Sequence, residues 1–205
     1  MSQITTGIRS ILSKPSVYDF MQNIMGAQSF REKFVSLYVK PNAGSRVLDL
    51  GCGTADILNF LPNVDYYGYD ISKEYIESAR RRFGSRGSFQ EKILSEEDAS
   101  RGAKFDIVLS LGVLHHLDDE TARSLLRTAY SSLKLGGRFI SHDPVFTPRQ
   151  SKIARFLISK DRGQNVRTEF QYLDLIKQIF PSAVSHVREQ TWIPYTHCFL
   201  EGVKS

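Results

Sequence analysis

The chain has no apolar run approaching the roughly 18 residues a membrane-spanning helix requires, no internal repeat and no low-complexity tract. No membrane span is therefore expected. Its two cysteines, Cys52 and Cys198, are too few for a disulfide framework, and a metal site would want more ligands; both are expected to be reduced thiols, and no metal is expected. The first residues carry Arg9 and Lys14 but neither a long apolar core nor a small-residue cleavage site, so the expectation is a cytoplasmic protein without a signal peptide. At 205 residues the length suits one domain with a full core.

A net charge of +5 invites a nucleic-acid reading, and the placement of the charge weakens it. Arg80, Arg81, Arg82 and Arg86 crowd one helix end, where cations suit the dipole and solvent. Arg149, Lys152, Arg155, Lys160, Arg162 and Arg167 form a second cluster, in which Ile153, Phe156, Leu157 and Ile158 supply a partly apolar helical face. A solvated amphipathic helix and an anion-binding segment are both open readings there. No appended RNA-binding module, base-flipping motif or basic-aromatic stripe is present, so nucleic acid is not expected as a partner.

The stretch Val47 to Ala55, VLDLGCGTA, is an apolar run that breaks into Asp-x-Gly-x-Gly, the pattern of a strand ending in a nucleotide-binding turn. Gly51 and Gly53 remove Cβ where the backbone turns tightly and a ligand must approach. A dinucleotide fingerprint needs a third glycine where Asp56 stands, and no Gly-Lys-Ser/Thr follows as in a P-loop. Val64 to Asp70, VDYYGYD, then reads as a buried strand ending in an acid about 20 residues past the first glycine, the interval at which such folds place a carboxylate on ribose hydroxyls. Asp70 is the ribose candidate; it is also an acid at a helix start, since Ser72 reads as the N-cap of a helix closed by Gly84.

A third landmark is Phe105 to Leu117, FDIVLSLGVLHHL, followed by a helix, a Gly136-Gly137 turn and a strand ending at His142-Asp143. These four motifs in register resemble the class I S-adenosylmethionine-dependent methyltransferases over about residues 40 to 145, with Ala55 where many members carry a third glycine. The resemblance implies an α/β, Rossmann-like fold: a mostly parallel seven-stranded sheet, an antiparallel seventh strand between the fifth and sixth, and helices on both faces. It implies S-adenosyl-L-methionine as cofactor, released as S-adenosyl-L-homocysteine, with Asp49, Gly51, Cys52, Gly53, Asp70, Ile71, Leu94 and Leu111 around it. It divides the chain into an N-terminal helical lid (1–42), a cofactor core (43–145) and substrate-side helices with closing strands (146–205).

In such a lid Tyr18 would line the substrate pocket, whereas ordinary core packing is the plainer account of the aromatic stripe Tyr18, Phe20, Met21, Ile24 and Met25. Relatives often carry an acid just past strand three to hold adenine; Lys92 and Ile93 stand here instead, and Glu96, Glu97 and Asp98 are expected in a solvated loop. Thr168 and Gln171 form a capping box, and the turn Pro194 to His197 is placed at the carboxyl edge of the sheet.

Methyl transfer from a sulfonium mainly needs two reactants positioned in line and, for a hydroxyl or protonated amine, a proton removed. Histidine suits that task. His115, His116, His142 and His197 are candidates at the same edge, and His116, His142 and His197 are nominated as catalytic, each against a purely structural alternative. Asp143, Arg162, Arg167 and Tyr195, with Tyr18, are nominated to bind the acceptor, Arg162, Gln164 and Arg167 holding an anionic or sugar-like small molecule. The rival readings are an RNA or protein methyltransferase and a non-catalytic binding protein on the same fold.

Overall fold

The structure, a computed structural model, describes residues 27–160, 163–190 and 194–205. Tyr18 and Arg162 lie outside them. The buried run of Val47, Leu48 and Leu50 makes β1 (Arg46–Leu50) a central strand, and Ile107, Val108 and Leu109 do the same for β4 (Phe105–Leu111). Around them lie β2 (Asp65–Asp70), β3 (Gly87–Glu91), β5 (Leu133–Phe146), β6 (Arg167–Thr168), β7 (Val184–Gln190) and β8 (Tyr195–Val203).

The sheet order is β3, β2, β1, β4, β5, β8, β7, with the two-residue β6 pairing only with Val145 and Phe146 at the tip of β5. The first five strands are parallel, and β8 is antiparallel to both β5 and β7. β7 and β8 are thus the expected sixth and seventh strands, and β6 makes the sheet eight-stranded. From β1 the chain winds outward through β2 and β3, then returns to place β4 on the other side of β1. The crevice where the order reverses, at the carboxyl ends of β1 and β4, is where open α/β sheets bind ligands.

Helices cover both faces. On one face α1 (Ala27–Phe34), the π-type turn Val35–Val39 and α2 (Lys73–Phe83) pack over Val47, Ile107, Leu109 and Ile140. On the other, α4 (Asp119–Ser132) and α6 (Glu169–Lys177) pack over Leu48, Val108, Phe139 and Leu200. Local chemistry sets the helix starts: the side chains of Ser72, Asp118 and Thr168 accept the N–H groups of Tyr75, Thr121 and Gln171, the last within a complete capping box. The expected loop at Glu96 to Asp98 is instead the first turn of α3 (Glu96–Arg101), because Ser95 caps it and three acids suit its positive end. α5 (Lys152–Ser159) follows β5.

Candidate functional site

The glycine turn is tied to β2 and β4 on both sides. Gly51 and Gly53 have φ of 80° and 54°, and Ala55 takes the same left-handed region at 57°. The N–H groups of Gly51 and Cys52 both donate to the Tyr69 carbonyl, at 2.8 and 3.0 Å. Asp70 closes the arrangement: one carboxylate oxygen accepts from Gly53 N–H at 2.9 Å and the other from Ser72 N–H at 2.8 Å. The sequence-predicted ribose acid therefore stands beside the glycine turn and fixes its shape.

Space and charge around the turn fit a cationic nucleoside. A Cβ on Gly51 would lie 2.6 Å from a Val113 methyl, so this side is packed against the loop after β4, whereas a Cβ on Gly53 would meet nothing within 4 Å. Next to that open side Ile71 is 53% exposed and Ile93, just past β3, 69% exposed, two apolar side chains left bare at the sheet edge. Beneath it Asp49 is buried, accepting from the Tyr66 hydroxyl at 2.7 Å through one oxygen while the other has no partner among the described residues. Burial, offset by the Tyr66 bond and reinforced by Asp70, pushes its pKa up to about 6. A cation bound above the turn would relieve both carboxylates.

The other predicted cofactor residues divide. Cys52 packs under the turn, its thiol pushed far up by burial, so it serves as filler with a useful backbone N–H. Leu111 ends β4 half-buried against the α1 face, and Leu94 packs half-buried on the opposite core.

On the far wall of the crevice the structure pairs a histidine with an acid, and it is none of the three nominated as catalytic. His115, not His116, sits against Asp143: its backbone N–H and Nδ1 both reach Asp143 Oδ1, at 3.1 and 2.8 Å, and both residues are buried. In the tautomer that donates Nδ1–H to the carboxylate, Nε2 is the nitrogen able to accept a proton. His116 lies tilted against the His115 ring with centroids 4.0 Å apart. Asp143 was expected to touch the acceptor; it orients His115 instead, and its second oxygen, like the hydroxyls of Ser110 and Ser141, is buried without a partner among the described residues. Burial raises the Asp143 pKa and the His115 bond opposes that.

Arg167 is engaged within the protein. Its Nε and one terminal nitrogen hold Asp119 at 3.0 and 2.7 Å, and the remaining bonds go to the carbonyls of Leu114, Leu117 and Asn165. The guanidinium fastens the turn that carries His115 and faces protein rather than acceptor. Asn165 N–H donates to the His115 carbonyl at 2.9 Å, completing a strap over the same turn.

His142 and His197 lie on the opposite sheet face, because residue 142 alternates with residue 143 across the pleat. They join Phe30, Phe34, Tyr195 and Phe199 in a wall of rings: His142 meets Phe30 and Phe34 edge-on at 5.4 and 5.2 Å, His197 at 5.6 Å, and Tyr195 lies 5.0 Å from His197. Burial and the neighbouring His197 and Arg31 charges hold the His142 pKa well below its usual value, so it is neutral at physiological pH. Among the described residues no three His, Cys, Asp or Glu side chains converge as a metal site, and no helix is long and apolar enough to cross a membrane.

Comparison with known proteins agrees with this geometry. A family profile for the methyltransferase domain matches residues 48–139. A ubiquinone/menaquinone biosynthesis C-methyltransferase of Desulfotalea psychrophila is 32% identical over 133 residues, covering 62% of this chain and 53% of that protein. The chain spans about a third to about half the length of the first curated relatives it matches. Among solved structures, an O-methyltransferase family protein from Burkholderia thailandensis superposes with a TM-score of 0.70 at 18% identity, over 100% of this chain and 64% of that one. A magnesium protoporphyrin IX methyltransferase from Synechocystis PCC 6803 does so with a TM-score of 0.65 at 21% identity, over 96% and 92%. Glycine turn, β2 acid, strand order and profile coincide: residues 48–139 match a methyltransferase domain, on the fold of the class I S-adenosylmethionine-dependent methyltransferases.

Proposed function

We propose that the chain moves the methyl group of S-adenosylmethionine to an oxygen or nitrogen of a small-molecule acceptor, a hydroxyl oxygen above all, with His115 as the proton acceptor and Asp143 holding it. The carrying observation is the buried His115–Asp143 pair, reached from the glycine turn through Val113, which packs on Gly51. Bound, the cofactor supplies a methyl on a sulfonium, open to in-line displacement. Asp70 would hold its ribose and fix the glycine turn, Ile71 and Ile93 would flank its base, and Asp49 would place negative charge under its cationic end. His115 Nε2 would take the acceptor's proton, and Asp143 would stabilise the resulting imidazolium.

The acceptor reading shifts from anion to ring. Arg167 is committed to the protein, so the anionic reading rests on Arg162 and Gln164; Phe30, His142, His197 and Tyr195 offer ring faces that suit a planar or apolar body. His116, His142 and His197 then shape the pocket instead of moving protons. Residues 1–42 would cover the acceptor, 43–145 hold the cofactor and 146–205 close the substrate side, in a cytoplasmic protein.

The test is S-adenosylhomocysteine release with pooled phenolic and hydroxylated acceptors. His115→Gln is expected to lower turnover by about 10²-fold or more, the range of a lost general base, while His116→Gln stays within a few-fold. Equal turnover in both variants would remove His115 from this role. Cofactor binding without product from any acceptor would favour the non-catalytic reading.

A further inference from the structure

α5 buries only one narrow side. Ala154 and Ile158, one turn apart, are its buried residues. At about 100° per residue, Phe156 lies roughly 200° round the helix from each, so it points directly away from the protein. It is 60% exposed, with Ile153 at 63% and Leu157 at 36% beside it. Three large apolar side chains on a single turn of helix make a patch that solvent alone does not explain.

Along residues 144–160 the charge is of one sign. Lys152 and Lys160 stand four residues before and after Phe156, both exposed, and Lys160 Nζ lies 5.6 Å from the Phe156 ring centroid. Arg149 is exposed just upstream, and no acid occurs from Pro144 to Lys160. An aromatic apex with apolar shoulders and a lysine on either side is the pattern of a helix lying in a bilayer interface, where the apolar groups enter the acyl boundary and the ammonium groups reach anionic headgroups. A soluble acidic partner would use the lysines but not the phenylalanine pointing outward between them.

We propose that α5 docks this protein on anionic lipid bilayers, with Phe156, Ile153 and Leu157 entering the interface and Lys152, Lys160 and Arg149 meeting the headgroups. Because α5 follows the carboxyl end of β5, docking turns the substrate side of the molecule toward the lipid. This holds whether or not the chain methylates, so its failure and that of the enzymatic reading are separable.

The experiment uses the full chain with vesicles of equal parts phosphatidylglycerol and phosphatidylcholine, against phosphatidylcholine alone. Expected are sedimentation with the anionic vesicles that salt weakens, and, in Phe156→Trp, added emission that shifts to the blue on binding and is quenched by brominated acyl chains. Phe156→Ser with Ile153→Ser is expected to reduce partitioning about tenfold or more, and each of Lys152→Gln and Lys160→Gln about fivefold. These exposed substitutions leave the melting temperature in place, which separates lost docking from unfolding. The proposal is overturned by absent vesicle binding or by binding that survives the serine pair. It is equally overturned by Phe156→Trp emission already blue-shifted without lipid, because residues 1–26 or a second copy then occupy the stripe.

Discussion

Asp49 is a carboxyl group kept from water beside a second carboxyl, with one oxygen lacking a partner among the described residues, and it sits at the floor of the proposed cofactor site. Its folded pKa of about 6 lies above the reference value of 3.8, so the folded state binds that proton more tightly than the unfolded chain. The stability it contributes is full below about pH 4, falls as the pH rises to about 6, and stays lost above. Asp49→Asn removes this dependence and is expected to stabilise the ligand-free protein by about 3 kcal/mol at pH 8 and little at pH 4, read by denaturant unfolding at the two pH values. The same substitution is expected to weaken S-adenosylmethionine, with its sulfonium, more than uncharged S-adenosylhomocysteine. Equal weakening of the two would show that the buried charge does not serve the ligand.

Between elements, the turns carry the site. Gly51 has a positive φ, and a Cβ on it meets Val113, so Gly51→Ala forces the β1 turn off the loop after β4. Loss of both cofactor affinity and about 1–3 kcal/mol of stability is expected, the usual range for forced overpacking. Gly163→Ala tests the other wall: the added Cβ would lie 2.0 Å from the His115 ring and 2.7 Å from its carbonyl. Turnover is expected to fall while calorimetric cofactor affinity holds; a parallel loss of both would mean that the two walls are not independent.

The same elements explain what was legible from sequence. The glycine turn and the β2 acid are read directly, since tight backbone approach has few solutions in residue type. Strand order follows from the sequence of motifs through resemblance. The choice among histidines does not: His142 and Asp143 differ by one place along β5 and so face opposite sides of the sheet, and which side closes on the Leu114 to Leu117 turn is a tertiary fact. Arg167 misled for the same reason, since a cation near a site reads alike whether it binds a ligand or clamps carbonyls. The helix at Glu96 was legible, because Ser95 followed by Asp98 is a start signal read instead as a charged loop.

For the whole molecule, part of the positive charge is engaged locally, while Arg149, Lys152 and Lys160 stay exposed around α5. Arg82 pairs with Asp56, Arg80 and Arg86 bond the carbonyls of Phe89 and Leu58, and Arg155 bonds that of Thr147. Binding to transfer or ribosomal RNA is therefore expected to be weak and to lack the steep salt dependence of a phosphate-tracking surface; tight retention that collapses with salt in a filter assay would revive the RNA reading.

The central claim, that the crevice between β1 and β4 holds S-adenosylmethionine through the Asp70-closed glycine turn, is tested most directly by calorimetric titration of the full chain with S-adenosylmethionine and S-adenosylhomocysteine beside Asp70→Ala. Micromolar binding of both, lost in the variant, is expected, since Asp70 fixes Gly53 and is the residue proposed to hold the ribose. No binding by the parent chain, or undiminished binding by Asp70→Ala, would contradict it.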